Sequence, residues 1–456
     1  MKFIKVKLKD ICTPKQWKSL PISALHENGK YKVYGANGVI GYYNEYNHKF
    51  PTLAIACRGS CGQISLTEPK SYITSNAMSL DDLDVSKVDL KFLKYALQKR
   101  GFNDVITGAV QPQITATNLN KIDLLIPEKL EDQQKIAQQL SQIEVLINKR
   151  EESIKLLDEL TKSTFLDMFG DPGINRKKFP IKKFGEHIDY IGDIGSNGSN
   201  ANISANLEML DTEDYAIMIR TVNLNANDFK NNIKYVSKKT YDYFKKSKIN
   251  GGEIIMNKIG SAGKIWIMPY LNRPVSLGLN QLMIRLKELN TNYLYYLLST
   301  NYGQMIINSK VNGAVTKSIT KGAVKELPLL YPPIELQNKF AEIVTQIENI
   351  KTIYQNSLTE LNNLFGSIAQ KAFKGELDVS KIELIQKEQE EITMAIKLDE
   401  NRLLQEIKKG DFEVSKYVNE HQNYDAIKDM IFKLIEDGKI SQKFDNDSKK
   451  IILEAE

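Results

Sequence analysis

Between Glu128 and Phe169 the apolar positions fall into a single stripe. Ile136, Leu140, Ile143, Ile147, Arg150, Ile154, Leu157, Thr161, Thr164 and Met168 are spaced 4-3-4-3 throughout, with one charged interruption at Arg150. That spacing predicts a long helix with a heptad seam. A second stripe of the same kind runs through Phe340, Val344, Ile347, Lys351, Tyr354, Leu358, Leu361, Phe365, Ile368 and Ala372. The ends agree with helix chemistry. Pro127 and Pro332 or Pro333 stand where a first-turn proline is tolerated. Glu128, Glu131 and Glu335 put negative charge in the first turns, and Gly170 and Gly375 follow as stops. From Ile136 to Met168 the seam is about 50 Å long at 1.5 Å per residue, and a stripe of that length needs a partner. The cheapest partner is the other stripe of the same chain. Ile136, Leu140, Ile143, Ile147, Ile154 and Leu157 are thus expected to pair with Phe340, Val344, Ile347, Leu358, Leu361 and Phe365. The intervening globular region makes an antiparallel pairing feasible and leaves a parallel one open.

Outside the stripes the apolar runs are short and punctuated by glycine. "PTLAIACRGSCGQISL" (Pro51–Leu66) and "GEIIMNKIGSAGKIWIMP" (Gly252–Pro269) each predict a strand, a glycine turn and a strand. "LKFLKYALQKR" (Leu90–Arg100) and "TNYLYYLLSTN" (Thr291–Asn301) predict a helix after each. These regions are α/β or α+β.

The two halves match residue by residue. "GAVQPQITATNLNKIDLLIP" (Gly108–Pro127) and "GAVTKSITKGAVKELPLLYP" (Gly313–Pro332) share Gly-Ala-Val, Ile-Thr, Leu-Leu and Pro at a constant offset of 205. "QQKIAQQLSQIE" (Gln133–Glu144) matches "QNKFAEIVTQIE" (Gln337–Glu348) at an offset of 204. Upstream, Gly59, Ser60, Gly62 and Ile64 match Gly260, Ser261, Gly263 and Ile265 at an offset of 201. Two copies with so long a period are a duplicated module rather than a solenoid. The expected organisation is a first globular domain at 1–127, a helix at 128–171, a second globular domain at 172–332, a second helix at 333–377, and an extension at 378–456. In that extension "EQEEITMAIKLDENRLLQEIKKGDF" (Glu388–Phe412) and "YDAIKDMIFKLIEDGKISQKFD" (Tyr424–Asp445) read as helical, the second ending at Gly438.

Charge divides along the same lines. The net +6 of the chain splits into −6 for 378–456 and +12 for 1–377. A basic body suits a polyanionic partner, and an acidic tail does not lie on one. No apolar run is long enough to span a membrane, and "MKFIKVKLKD" lacks the apolar stretch of a secretory signal. Three cysteines in a chain of 456 residues form no disulfide framework, so a cytoplasmic location is expected.

Catalytic signatures are scarce. "LYPPI" (Leu330–Ile334) lacks the polar and aromatic residues of an amino-methyltransferase motif. "GSAGKI" (Gly260–Ile265) lacks the first glycine and the final Ser/Thr of a phosphate-binding P-loop. Cys57 and Cys61 with His26, His48, His187 and His421 show no metal-ligand spacing, so no metal site is expected.

The "YGANGVIGYYNEY" stretch (Tyr34–Tyr46), the "RGSCG" and "KIGSAGKI" turns, the paired "GAV…IT…LL…P" ends and the two long helices together resemble the specificity subunits of type I restriction–modification systems, over about 1–377. The resemblance implies two target-recognition domains in a pseudo-twofold arrangement, separated by antiparallel coiled-coil helices. It implies reading of a bipartite, asymmetric DNA site. It also implies two methyltransferase subunits and restriction/translocase subunits as partners, with S-adenosylmethionine, ATP and Mg held only by those partners and no catalytic residue in this chain. A stand-alone DNA-modifying enzyme and a coiled-coil scaffold unrelated to DNA are the competing readings. Under the DNA reading, phosphate contacts are expected at Arg58 with Gly59, Ser60 and Gly62, and at Lys258, Ser261 and Lys264. Base readers are expected where the halves differ: Gln16, Lys18, Asn37, Gln111 and Gln113 in the first, and Asn197, Asn200, Arg220, Thr316, Lys317 and Ser318 in the second.

Overall fold

The glycine-punctuated strands of the first half assemble in a computed structural model that describes residues 1–108, 110–384, 403–404, 407–408, 431–432, 434–435, 437–445 and 450–455. The order is β1 (Phe3–Lys7), β2 (Thr13–Gln16), β3 (Tyr31–Gly35), β4 (Gly38–Tyr43), β5 (Leu53–Ala56), β6 (Ile64–Leu66), β7 (Tyr72–Ile73), β8 (Ala77–Asp81), α1 (Leu90–Arg100), β9 (Ile106–Thr107), β10 (Gln113–Ile114), α2 (Ala116–Leu119), β11 (Asp123–Pro127) and the long α3 (Leu130–Phe169). The second half follows with β12 (Ile181–Lys183), β13 (Ile188–Gly192), α4 (Asn200–Asn206), β14 (Ala216–Ile219), α5 (Thr221–Ala226), β15 (Lys234–Val236), α6 (Lys238–Tyr243), β16 (Lys248–Ile249), β17 (Ile254–Asn257), β18 (Ile265–Ile267), β19 (Val275–Leu277), β20 (Gln281–Leu286), α7 (Thr291–Ser299), α8 (Asn301–Asn308), α9 (Lys321–Lys325), β21 (Pro328–Leu330) and α10 (Ile334–Phe373).

The sequence repeat is a topological repeat. One half carries a four-stranded sheet in the order β2-β8-β5-β6, the other in the order β13-β20-β17-β18. In both, the glycine turn joins the last two strands, and the inner strand is wholly buried: "LAIA" in β5 and "IIMN" in β17. Each half adds a further sheet with one parallel pair, three-stranded in the first half (β3 with β7) and four-stranded in the second (β14 with β19). Its opening strand pairs antiparallel with its closing one, β1 with β11 and β12 with β21. Helices α4, α5 and α6 are short elements between β13 and β16, and α8 follows α7 directly.

Two compact units result, one of Met1–Gln142 with Gly366–Glu456, the other of Ile143–Phe365. Each long helix contributes to both. In the second unit the helices run antiparallel. Phe165 packs on Phe340 with ring centroids 5.5 Å apart, Asp158 bonds Lys351 at 2.5 Å, and the Arg150 guanidinium sits 4.1 Å from the centre of the Tyr354 ring. As the residue number rises along one helix it falls along the other. The seam positions are the covered ones. Ile136, Leu140, Ile143, Phe340, Val344 and Ile347 are buried; Ile147, Ile154, Leu157, Leu358, Leu361 and Phe365 are half-buried.

Both charged seam residues have a partner across the seam. Arg150 lies over Tyr354, and Lys351 reaches Asp158. The Arg150 Nε is buried and makes no hydrogen bond. Its removal therefore relieves a desolvation cost while giving up a cation–π contact of about 1 kcal/mol. Arg150→Leu is expected to leave the urea midpoint unchanged or raised, and Tyr354→Ala to lower stability by about 2 kcal/mol. A marked loss in the leucine variant would show that the guanidinium contributes more than its packing.

The C-terminal extension departs from the all-helical expectation. Residues 431–432 and 434–435 are helical, and Gly438 follows at φ 68°, as a left-handed stop requires. Beyond it the chain is extended: β22 (Ile440–Asp445) pairs antiparallel with β23 (Lys450–Ala455). "KISQKFD" and "KIILEA" carry the β-branched and aromatic residues that favour such a hairpin. Leu403, Ile407, Leu434 and Ile440 form a small core for this piece. Most of the Glu388–Phe412 helix expected from the sequence lies outside the described residues.

Candidate nucleic-acid interface

The glycine turn and the Gly-Ala-Val stretch of each half form one composite loop. In the first half Arg58 bridges Gln113, and the Ile114 amide donates to the Cys57 carbonyl at 3.0 Å. In the second, Ile259 bridges Ser318, and the Ile319 amide donates to the Lys258 carbonyl at 3.0 Å. These are the same positions, since offsets of 201 and 205 carry one set onto the other. Gly59, Gly62, Gly260 and Gly263 all take positive φ, which the turn requires.

The tip is built alike in both. Gly108 at φ 93° and Gly313 at φ 100° allow a turn so tight that a Cβ would stand 2.3 Å from the Gln111 carbonyl and 2.2 Å from that of Thr316. Ile114 and Ile319 then enter the core, 3% and 1% exposed. Thr115 and Thr320 cap α2 and α9 through their hydroxyls.

The turn amides are less available than a phosphate cradle needs. Those of Cys61, Gly62 and Gln63 close the first turn, and those of Gly260, Gly263 and Lys264 close or anchor the second. The side chains sort into two groups. Lys18, Asn37, Arg58, Ser60, Gln111, Gln113, Asn200, Ser261, Thr316 and Lys317 are exposed, and Ser318 is half-buried. The remaining candidates are hydrogen-bonded to other residues, Gln16 and Lys264 while still exposed. Gln16 donates to the Ser75 carbonyl at 2.5 Å, and Asn197 donates to Ser247 Oγ at 2.8 Å while accepting from the Lys246 amide. Arg220 is bonded to Asn232, and Lys264 Nζ to Asn225 at 2.6 Å.

Lys258 is also committed. Its Nζ lies 2.7 Å from Asp193, whose other oxygen is 2.6 Å from Lys321. Burial of Asp193 pushes its carboxyl up, but Lys258, Lys321 and Ser196 outweigh that and hold it at about 2. One buried carboxylate thereby fixes residues on both sides of the composite loop. In the first half Gln16 stands at this place, opposite Met78 as Asp193 would stand opposite Leu282. There the neutral amide of Gln16 reaches Cys57 Sγ at 3.8 Å and the Ser75 carbonyl, where the second half has an ion pair. A recess of about 430 Å³ lined by Cys61, Gln63, Gln98 and Phe102 lies beside the first turn. In the second, Ile307 of α8 stands against Gly263.

Sequence reading missed the joint between module and helix. Gln133 is fully buried; it accepts from the Asp89 amide at 3.0 Å and donates to the carbonyls of Lys87 and Pro127 at 3.0 and 2.9 Å. Gln337, its equivalent, accepts from the Asn290 amide at 2.9 Å and donates to Pro332 at 2.8 Å. Asp89 and Asn290 are themselves the caps of α1 and α7. The available signal was a glutamine kept at the same place in both copies, on an otherwise apolar face.

The model of the type I restriction modification DNA specificity domain matches residues 2–156 and 190–363. The chain belongs to this type I specificity family. Over 158 residues it is 29% identical to a type I specificity subunit of Mycoplasma pneumoniae, covering 33% of this chain and 42% of that one. Over 173 residues it is 25% identical to the EcoBI specificity subunit of Escherichia coli, covering 37% and 36%. The chain thus spans about two fifths of the length of each of these relatives. A longer match, 23% over 335 residues, covers 76% of the MjaX specificity subunit of Methanocaldococcus jannaschii. The crystal structure of a type I S subunit from M. genitalium shares the fold, with a TM-score of 0.58 at 17% identity over 82% of this chain and 96% of that one. Membership in the specificity family accounts for the doubled module and for the paired helices. No helix among the described residues is long and apolar enough to cross a membrane.

Proposed function

We propose that this type I specificity chain reads a bipartite, asymmetric double-stranded DNA site, one half-site per module, and positions methyltransferase and restriction subunits on its paired helices. It does so without chemistry of its own; S-adenosylmethionine, ATP and Mg belong to the partners. One observation carries the reading. The same composite loop occurs in both modules on the same sheet topology, yet Gln111–Gln113 and Thr316–Ser318 differ at matching positions, all exposed but the half-buried Ser318. A shared frame bearing unlike side chains is what reading two unlike half-sites demands. The net +12 of residues 1–377 supports a polyanionic partner.

Footprinting of the chain with its methyltransferase partner is expected to show two protected half-sites with an unread gap. Affinity should fall steeply with salt, by about 0.9 in log–log slope for each phosphate neutralised. Exchange of residues 172–332 for another recognition domain should change one half of the target and leave the other. A single continuous footprint, or an unchanged target after the exchange, would remove the reading.

A further inference from the structure

The two most exposed large apolar side chains among the described residues are Val110, at 94%, and Val315, at 98%. They are the same position of the repeat, related by the offset of 205. A single exposed valine needs no explanation. Finding both extremes at one repeated place does, because each half had every opportunity to change it.

Packing does not supply the reason. Other residues of the repeated stretch have structural work: Gly108 and Gly313 take positive φ, Ile114 and Ile319 fill the core, Thr115 and Thr320 cap helices, and the Pro127 and Pro332 carbonyls accept from the buried glutamines. Val110 and Val315 have none of these tasks. They stand at the tips of the composite loops, on turns that a glycine holds closed. Exposed Arg58 is paired to Gln113 beside the first tip, and exposed Lys317 is two residues beyond Val315.

We infer that Val110 and Val315 are apolar contacts to DNA, pressed against base edges or sugars of the two half-sites; this rests on the reading of the chain as a DNA specificity subunit. The identity of the two residues sets their role. Unlike half-sites are read by unlike residues, here Gln111–Gln113 and Thr316–Ser318. A residue kept the same in both modules meets what both half-sites share, and so adds affinity rather than sequence preference. Small apolar side chains do make such contacts in the grooves, alongside the cations that fix register on the phosphates.

The test is the affinity of the full chain, bound to its methyltransferase subunits, for its specific site and for random DNA across a salt series. Val110→Ala and Val315→Ala remove methyl groups that touch little within the protein, so the fold is unaffected. Each variant is expected to bind the specific site about fivefold more weakly, and the double variant about 25-fold, since distinct modules act independently. The salt slope should not move, because no phosphate contact is lost, and the preference for the specific site over its single-base variants should hold. Arg58→Ala serves as the contrast and should lower the slope by about one. Unchanged affinity in the double valine variant overturns the inference and leaves the DNA reading standing. Unchanged affinity for DNA with weaker binding of the methyltransferase subunits overturns it in favour of a protein contact. If the wild-type assembly itself shows no salt-dependent, site-specific binding, the underlying reading falls as well.

Discussion

Replacing Gln133 with leucine is expected to lower stability by about 3 kcal/mol. The side chain is fully buried and satisfies three backbone groups: the Asp89 amide and the carbonyls of Lys87 and Pro127. Leucine fills the space but pairs with none of them. Each buried group left unmatched costs about 1–3 kcal/mol. Because Asp89 caps α1 and Pro127 ends β11, the loss falls where the module joins its helix. Gln337→Leu should behave alike but more mildly, since it satisfies two groups rather than three. Exposed Gln142 on the same helix is the control, and its leucine variant should stay within about 0.5 kcal/mol of the parent. Urea midpoints decide the matter: equal effects at Gln133 and Gln142 would mean that the buried amide is dispensable.

Loss of the Asp193 charge should be nearly as costly. Its carboxyl falls from an ordinary value of 3.8 to about 2 on folding, because Lys258 and Lys321 outweigh burial. A depressed carboxyl contributes stability above its unfolded pKa and loses it as pH falls through its folded one. The contribution, about 2 kcal/mol at neutral pH, should therefore be complete above about pH 5 and fade toward pH 2. Asp193→Asn removes it at all pH values and leaves two ammonium groups facing an amide. The stability gap between parent and variant should be widest near pH 7 and narrow steadily below pH 4. A gap that stays constant down to about pH 2.5 would show that shape, not charge, holds the loop. Within the DNA reading, the variant should also weaken protection of the second half-site alone, because Asp193, Lys258 and Lys321 all belong to the second module.

What the sequence made legible was periodic or repeated. The 4-3 spacing exposed the seam, and nearly all its members are covered, because an apolar stripe on a long helix must find another. The constant offsets exposed the duplication, which reappears as two sheets of one strand order. Less visible were contacts between residues far apart in the chain. Nothing in the spacing of Asp193, Lys258 and Lys321 shows that a single carboxylate holds both lysines, so Lys258 reads from sequence as an available cation. The bonds of Asn197 and Arg220 were invisible for the same reason: a polar residue in a variable loop looks alike whether it faces solvent or pins the loop. The hairpin after Gly438 was hidden because a helical stripe precedes it, and a glycine stop ends a helix without specifying the element beyond. Val110 and Val315 were in view from the outset, as part of "GAV", but their exposure is a property of the fold.

The contact between Arg150 and Tyr354 has one more consequence. The two residues are the same position of the duplicated seam, 204 apart, and in an antiparallel pair they meet where the two copies cross over. An unaltered duplicate would set like against like there. Two first-half fragments pairing in this register would bring guanidinium onto guanidinium, and two second-half fragments would bring ring onto ring. Only one copy of each gives the cation a face to rest on. At this position the two helices are complementary as unlike copies, which favours pairing of a first half with a second half over pairing of two first halves.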